Sequence, residues 1–406
     1  MEAKYLVMVT AVNNNKYYRM IPNADGETWT AEYGRIGESK QTAQYSAKDF
    51  DKKYREKIRK GYVDQTELHA SVKKLNTPTE EDNTVPISDR EVAEIVEMMI
   101  GWARKTIAEN YTVSYKDVTK KAVEIAQGIL DDMANITNTG DFNRELIKLF
   151  NTIPRRMGEV SDYLSPASGS FDKILNREQS LLDTMAAQIP DEEPEEVTPQ
   201  KRGRKSKKNI LEKNNLEIIP CDDEQNETVK KHLDHRTRDK FVRAWRVKNN
   251  KTYAAFEKYC IKQGIEADGI KFYYHGSRNE NDWNIVKEGL KLRPSQAVVR
   301  TGAMFGHGHY FANVADKSVG YTSLNNSYWA HGSSNTSLLF VFRVAEGKAY
   351  DLDAFSPTVS RWHEEDCIKA GYNSVHAHAG KDLRRDEIIV YNDAACTIEY
   401  IIELNN

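Results

Sequence analysis

The chain has 406 residues, with 58 Lys and Arg against 61 Asp and Glu and a formal net charge of −3. That length suggests roughly two to four domains, and the near balance of charge excludes a uniformly basic coat protein while allowing a basic patch on one module. With 39% hydrophobic and 29% charged residues, packed cores are expected, and no apolar run approaches the roughly 18 residues of a membrane span.

The start, MEAKYLVMVT, lacks the basic region, long apolar core and cleavage site of a secretory leader. The four cysteines, Cys221, Cys260, Cys367 and Cys396, are scattered, which fits a reducing compartment and offers no zinc-type spacing. An intracellular protein is expected, nuclear in a eukaryotic host and otherwise cytoplasmic.

From the N-terminus, Tyr5–Thr10, Lys16–Ile21 and Glu27–Tyr33 are short β-branched and aromatic runs. Asn13-Asn14-Asn15 and Asn23-Ala24-Asp25-Gly26 separate them with turn chemistry. Phe50, Tyr54 and Ile58 then recur at helical spacing. A small antiparallel sheet plus one helix is predicted over 1–75. Residues 76–86 form a linker within the polar stretch that starts at 71.

The period changes to 3.6 from Val92 to Ile107, behind a capping-box pattern of Ser88 and Glu91. A second helix carries Val118, Ala122, Ile125, Ala126, Ile129 and Met133 behind Ser114. A shorter third one carries Leu146, Leu149 and Phe150 and stops near Pro154. A fourth runs from about Phe171 to Ile189. An all-α bundle over 87–190 is predicted.

The segment 191–213 is a charged linker. Asp191–Glu196 is almost wholly acidic and Lys201–Lys208 almost wholly basic, and such blocks cannot bury a core. The basic half reads equally as a solvated tether or as a segment for DNA backbone or nuclear import. From 214 to 406 strands dominate: Leu216–Ile219, Lys240–Val247, Phe272–His275, Leu338–Val344, Glu387–Tyr391 and Thr397–Ile402. No β-helix-β rhythm recurs, so a doubly wound sheet is disfavoured and the fold class is multidomain α+β.

Three stretches of this last region carry chemistry. Tyr274-His275-Gly276-Ser277-Arg278 ends an apolar strand, where a glycine lets a ligand approach the backbone beside an imidazole and a hydroxyl. Thr301–Ala312, followed by Lys317, Ser318 and Tyr321, is a Gly-rich loop with rings to stack on a heterocycle, and it lacks the residue order of a phosphate-cradling P-loop. Asp386-Glu387 opens a strand, and a carboxylate there could hold a sugar hydroxyl and stabilise a cationic glycosyl carbon. Each stretch alone also has a structural reading: a strand-end histidine, a hairpin with core aromatics, a solvated strand end.

In this order and at these separations, the three stretches resemble the poly(ADP-ribose) polymerase catalytic domain. Tyr33-Gly-Arg-Ile-Gly37 looks like the signature of the family's WGR domain, with Tyr33 replacing the tryptophan. The bundle with Leu149–Pro154 looks like its helical regulatory domain. The layout is that of the short members without zinc fingers, whose catalytic domain is mainly antiparallel β.

The resemblance implies a catalytic triad of His275, Tyr310 and Glu387, and NAD+ as substrate, bound by Gly276, Ser277, Arg293, Ser318 and Tyr321. It requires no metal, and the loop residues His307 and His309 are expected to be exposed. DNA with strand breaks is the implied partner of Tyr33, Arg35, Lys40, Lys52 and Lys53. They lie in or near the cation-rich run Lys40–Lys60, which otherwise reads as a solvated helix face.

In relatives the bundle shields the NAD pocket until DNA loosens it, so deleting 86–190 is expected to give DNA-independent activity. The chain thus reads as an ADP-ribosyltransferase stimulated by DNA breaks, making poly- or mono-ADP-ribose on protein acceptors including itself. The alternatives are a catalytically weak DNA-end sensor and an NAD glycohydrolase. No membrane partner is expected, and the oligomeric state stays open.

Overall fold

The computed structural model describes residues 1–69, 85–189, 207–293 and 304–406. Most of the linker 76–86, the acidic block Asp191–Glu196, most of the basic run Lys201–Lys208 and the loop start Thr301–Ala303 lie outside the described residues. Contacts group the chain into two compact units, one of residues 1–69 with 104–189, the other of 85–103 with 207–293 and 304–406.

In the first unit, β1 (Lys4–Thr10), β2 (Asn14–Pro22), β3 (Thr28–Arg35) and β4 (Gln41–Ser46) form an antiparallel meander. A helix, Phe50–Arg59, follows, and β5 (Val63–Asp64) completes the order β4-β3-β2-β1-β5. The turn chemistry acts as the sequence suggests. Asn13 takes a positive φ of 62° between β1 and β2, and the Asp25 carboxylate accepts from the amides of Glu27 and Thr28 before β3. Leu6, Tyr18, Met20, Trp29, Ala31 and Phe50 form the core between sheet and helix.

The same unit holds the helices Lys120–Met133, Thr139–Thr152 and Phe171–Gln188. Phe142 and Phe171 stack with centroids 3.9 Å apart. The buried Arg155 guanidinium meets the buried Glu178 carboxylate at 2.6 Å and also donates to the Asn110 carbonyl. Sheet and helices are bonded to each other. The Asn151 amide accepts from the Val9 N–H at 2.9 Å and donates to the Val9 carbonyl at 3.1 Å, in the manner of a neighbouring strand.

Two helix starts differ from expectation. In Arg90–Asn110 the capping carboxylate is Asp89, which accepts from the Val92 amide at 3.0 Å and sits one residue nearer the helix than Ser88. Thr119 caps Lys120–Met133, while Ser114 caps a separate short turn at Tyr115–Asp117. The buried face of Lys120–Met133 runs through Ala122, Ala126, Leu130 and Met133, and Ile125 is exposed. The helix Thr139–Thr152 is as long as its predecessor and buries Phe142 besides the expected residues.

In the second unit the strands are β6 (Leu216–Pro220), β7 (Phe241–Asn249), β8 (Ile270–Gly276), β9 (His309–Phe311), β10 (Thr336–Ala345), β11 (Ala349–Leu352), β12 (Ser374–Ala377), β13 (Glu387–Val390) and β14 (Cys396–Asn405). They build two sheets, ordered β6-β7-β14-β10-β8 and β11-β12-β13-β9. Every pairing is antiparallel apart from β11 with β12. The mixed α+β class and mainly antiparallel catalytic region are as the sequence indicates. Strands β9, β11 and β12, three or four residues each, are additions to the expected set.

The sheets meet where Tyr274 of β8 pairs with Ala312, just past β9. Phe340, Phe342, Ile401 and Ile402 are fully buried in the longer sheet, and all four cysteines are free and buried. Among the described residues no helix is long and apolar enough to cross a membrane.

Candidate active site

The junction between the sheets positions the expected triad. His275 lies near the end of β8, and β8 adjoins β9 through the Tyr274–Ala312 bridge. Tyr310 is the middle residue of β9 and pairs with Ile389 of β13, whose first residue is Glu387. Three consecutive neighbours thus bring together residues 35 and 77 positions apart in sequence.

The His275 ring is fixed by its Nδ1, 3.0 Å from the Tyr310 carbonyl. A carbonyl only accepts, so Nδ1 carries the proton and Nε2 presents a lone pair. Burial pushes the His275 pKa down to about 4, against the bond to the Tyr310 carbonyl, which raises it. The imidazole is therefore neutral near pH 7 and can accept a hydrogen bond from a ligand hydroxyl.

Gly276 is required by close approach. A β-carbon there would lie 1.8 Å from the Ser318 carbonyl oxygen, at the end of the short helix Ala315–Val319. The missing side chain lets the helix press its backbone against β8 and brings Ser318 beside the His275-Gly276 peptide. The Ser318 hydroxyl is buried and donates to the Tyr274 carbonyl at 3.0 Å, which leaves its lone pairs as acceptors.

Tyr310 is held at both ends of its loop. Its hydroxyl donates to the Gly306 carbonyl at 2.8 Å and accepts from the Phe305 amide at 3.0 Å. Burial raises its pKa, and the Glu387 charge raises it further. Gly308 is a second forced glycine, since a β-carbon would fall 2.4 Å from Ile389 Cγ2 of β13. Tyr321, whose pKa burial pushes up to about 12 with help from Glu387, lies parallel to Trp329 at 6.0 Å and stays 41% exposed, leaving ring surface open.

Glu387 is only 9% exposed, and its carboxylate meets the Lys317 ammonium at 2.6 Å. Lys317 also donates to the Arg385 carbonyl at 3.1 Å, so one side chain orients the carboxylate and pins the turn before it. The sequence reading assigned Lys317 no role; its signal was the position directly before Ser318. Trp329 was also passed over, an exposed ring in the polar loop beside Tyr321.

The remaining expected ligand contacts are less central. Ser277 Oγ accepts from the Asn281 amide at 3.1 Å, and Arg293 is exposed at the end of a described segment. His309 differs from expectation. It is buried, pairs with Val390 across the sheet and holds Asp393 Oδ1 at 2.9 Å through Nε2, because starting a strand turns its ring inward; His307 is half-buried.

In the first unit the expected DNA residues separate into two kinds. Tyr33 stacks on Tyr18 at 5.6 Å and is half-buried. Arg35 is engaged internally: it donates to the Asn13 carbonyl and side chain and to the Gly158 carbonyl, clamping the β1–β2 turn to the loop after the helix Thr139–Thr152. Lys40 pairs with Glu32, and Lys53 pairs with Glu56 beneath Tyr45. Lys52 is exposed, and with Lys48, Arg55 and Arg59, also exposed, it forms a cationic stripe at helical spacing.

Comparison with known proteins finds matches in both units. Residues 222–406 match the poly(ADP-ribose) polymerase catalytic domain, and residues 3–68 match the WGR domain. The uncharacterized protein 101L of Invertebrate iridescent virus 6 is 29% identical over 187 residues, covering 45% of this chain and 76% of the viral protein. Poly [ADP-ribose] polymerase 1 of Gallus gallus is 22% identical over 374 residues, 84% of this chain and 34% of that protein. Poly [ADP-ribose] polymerase 2 of Homo sapiens is 38% identical over 84 residues, 21% of this chain and 13% of its own length. The chain thus spans only a part of these two polymerases.

Proposed function

Because this chain belongs to the poly(ADP-ribose) polymerase family, carrying the family's NAD+-using catalytic domain and a nucleic-acid-binding WGR domain, we propose that it transfers ADP-ribose from NAD+ to protein, itself included, when the WGR-containing unit engages a DNA strand break. The observation that carries the reading is the adjacency of β8, β9 and β13, which groups a neutral imidazole, a half-buried phenol and an oriented carboxylate.

In this reading, Gly276 backbone groups and the Ser318 hydroxyl grip the nicotinamide carboxamide. Tyr321 and Tyr310 flank its ring, and Ser277 and Arg293 serve the adenosine half. His275 Nε2 accepts from the adenosine-ribose hydroxyl. The glycosidic bond breaks with its electron pair going to the nicotinamide nitrogen, so a neutral ring leaves a positively charged ribosyl carbon. Glu387, oriented by Lys317, holds the 2′-hydroxyl and stabilises that charge, and the acceptor hydroxyl attacks the ribosyl carbon while its proton passes to the Glu387 carboxylate. A retained carboxylate at this place suits chain elongation as well as single transfer.

The DNA-binding face is assigned to Tyr33 and the stripe of Lys48, Lys52, Arg55 and Arg59, with Lys40 and Lys53 at its margin. Such a surface reads backbone charge, so its affinity should fall steeply with salt and show little sequence preference. The helical bundle 87–190 is assigned the restraining role. Its buried Arg155–Glu178 pair costs desolvation to keep, which suits an element whose arrangement a DNA contact shifts.

Incubation with labelled NAD+, with and without nicked DNA, tests the whole reading. Label on protein, increased by nicked DNA, supports it. Free ADP-ribose would favour a glycohydrolase, and no turnover would favour a DNA-end sensor. Glu178→Ala should destabilise the helices by about 3–5 kcal/mol in denaturant and raise DNA-independent labelling; destabilisation with no rise in labelling would remove the restraining role.

A further inference from the structure

A second cluster of titratable groups lies on the shorter sheet of the catalytic unit and has no part in the chemistry above. His376 of β12 and His378 two residues later share one face, as alternate residues of an extended chain do. The β12–β13 register pairs His376 with Ile388 and Ala377 with Glu387, and its continuation sets Asp386 opposite His378. The rings of His376 and His378 stack 4.4 Å apart.

The donor atoms converge. His376 Nε2 lies 3.1 Å and His378 Nδ1 3.8 Å from the same Asp386 Oδ2, and one donor atom from each residue falls within 4.8 Å of the others. Ligand bonds of about 2.0–2.2 Å in a tetrahedral zinc site separate neighbouring donors by about 3.4 Å, a value the two contacts to Asp386 Oδ2 straddle, and the rings, stacked at 21°, would turn toward each other to share an ion.

The other nitrogen of each ring is already on a carboxylate. His376 Nδ1 lies 3.1 Å from Glu346 Oε1, and His378 Nε2 lies 2.7 Å from Asp351 Oδ1. That outer arrangement fixes ring orientation and tautomer in metal sites. Those carboxylates are held in turn, Glu346 by the Tyr273 hydroxyl at 2.6 Å and Asp351 by its place on β11, opposite His376. Asp386 Oδ1 accepts from the Ala379 amide, while Oδ2 also accepts from the Asn313 side chain.

We propose that His376 Nε2, His378 Nδ1 and Asp386 Oδ2 form a binding site for a divalent transition-metal ion, zinc by its donor set, with Glu346 and Asp351 as orienting carboxylates and a remaining position open to water. Asp386 directly precedes Glu387, so occupancy would brace the strand start that carries the catalytic carboxylate.

The full chain, stripped with a chelator and titrated with zinc chloride at pH 8.5, should take up one ion with an affinity that the double variant His376→Ala/His378→Ala loses. His378→Ala alone, a half-exposed position, should lose it without loss of fold. Asp351→Asn and Glu346→Gln keep all three ligands and should weaken binding about 10–100-fold. Cobalt(II) in place of zinc should show visible bands of a low-coordinate nitrogen and oxygen set, absent from the double variant. Zinc uptake equal in the wild type and the double variant would overturn the site and leave the cluster a hydrogen-bonded bridge between carboxylates, whatever the NAD+ assay gives.

Discussion

The junction of β8, β9 and β13 and the cationic stripe of the first unit are places of opposite construction. At the junction the decisive distances belong to the backbone: Ser318 against Gly276, β13 against Gly308, the Tyr310 carbonyl against His275. On the stripe they belong to the ends of long, exposed side chains at Lys48, Lys52, Arg55 and Arg59. A site fixed by backbone contact cannot accept an extra atom, whereas a site made of charge tolerates single losses and answers to ionic strength instead.

The comparison is most exposed at Gly276. Gly276→Ala inserts a methyl against a carbonyl and should cut single-turnover NAD+ consumption by about a hundredfold or more in the folded protein. Near-normal turnover would show that the helix 315–319 yields freely. Next, Glu387→Gln keeps the shape and removes the charge, so elongation should fall about 100–1,000-fold while nicotinamide-site ligands still bind. An unchanged product ladder would take the proposed role away from that carboxylate.

On the other side of the comparison, replacing Lys48, Lys52, Arg55 and Arg59 together by Ala should weaken binding to a labelled nicked duplex. The slope of log affinity against log salt should shrink by up to about 3.6, roughly 0.9 per lost phosphate contact. Arg35→Ala should instead lower thermal stability with little change in that slope, since its guanidinium is occupied by Asn13 and Gly158.

The smallest effect is in pH. His275 is depressed to about 4 in the folded protein against about 6.5 unfolded, so the unfolded chain takes up a proton first on acidification. Its share of stability is intact above about pH 6.5 and drains away as pH falls toward 4, and a His275→Gln variant should lose that part of the slope in a melting series. Turnover should show no histidine limb at neutral pH.

The sequence makes some of this plain and hides the rest for physical reasons. Phe171–Gln188 and the strands of the longer sheet carry strong periodicity and were readable to within a few residues. His275, Tyr310 and Glu387 were readable as motifs, but their neighbourhood was not, because β9 is three residues long and follows directly on Gly306 and Gly308. The Lys317–Glu387 pair joins residues 70 positions apart, and Arg35 finds its carbonyl at Gly158, 123 positions away. Local pattern contains no trace of either. The pairing of histidines 376 and 378 with carboxylates has no local signal, since Asp351 lies on β11, Glu346 just past β10 and Asp386 just before β13.

Asn151 has a practical consequence for anyone dividing the molecule. Beyond Val7 the strand β1 has lost its partner β5, and the amide of Asn151 takes over the exposed polar groups of Val9. Cut away after residue 69, the sheet would keep its fold signals yet bare a sticky rim ready to template pairing between copies. Such a fragment should self-associate where the unit that includes helix 139–152 stays dispersed.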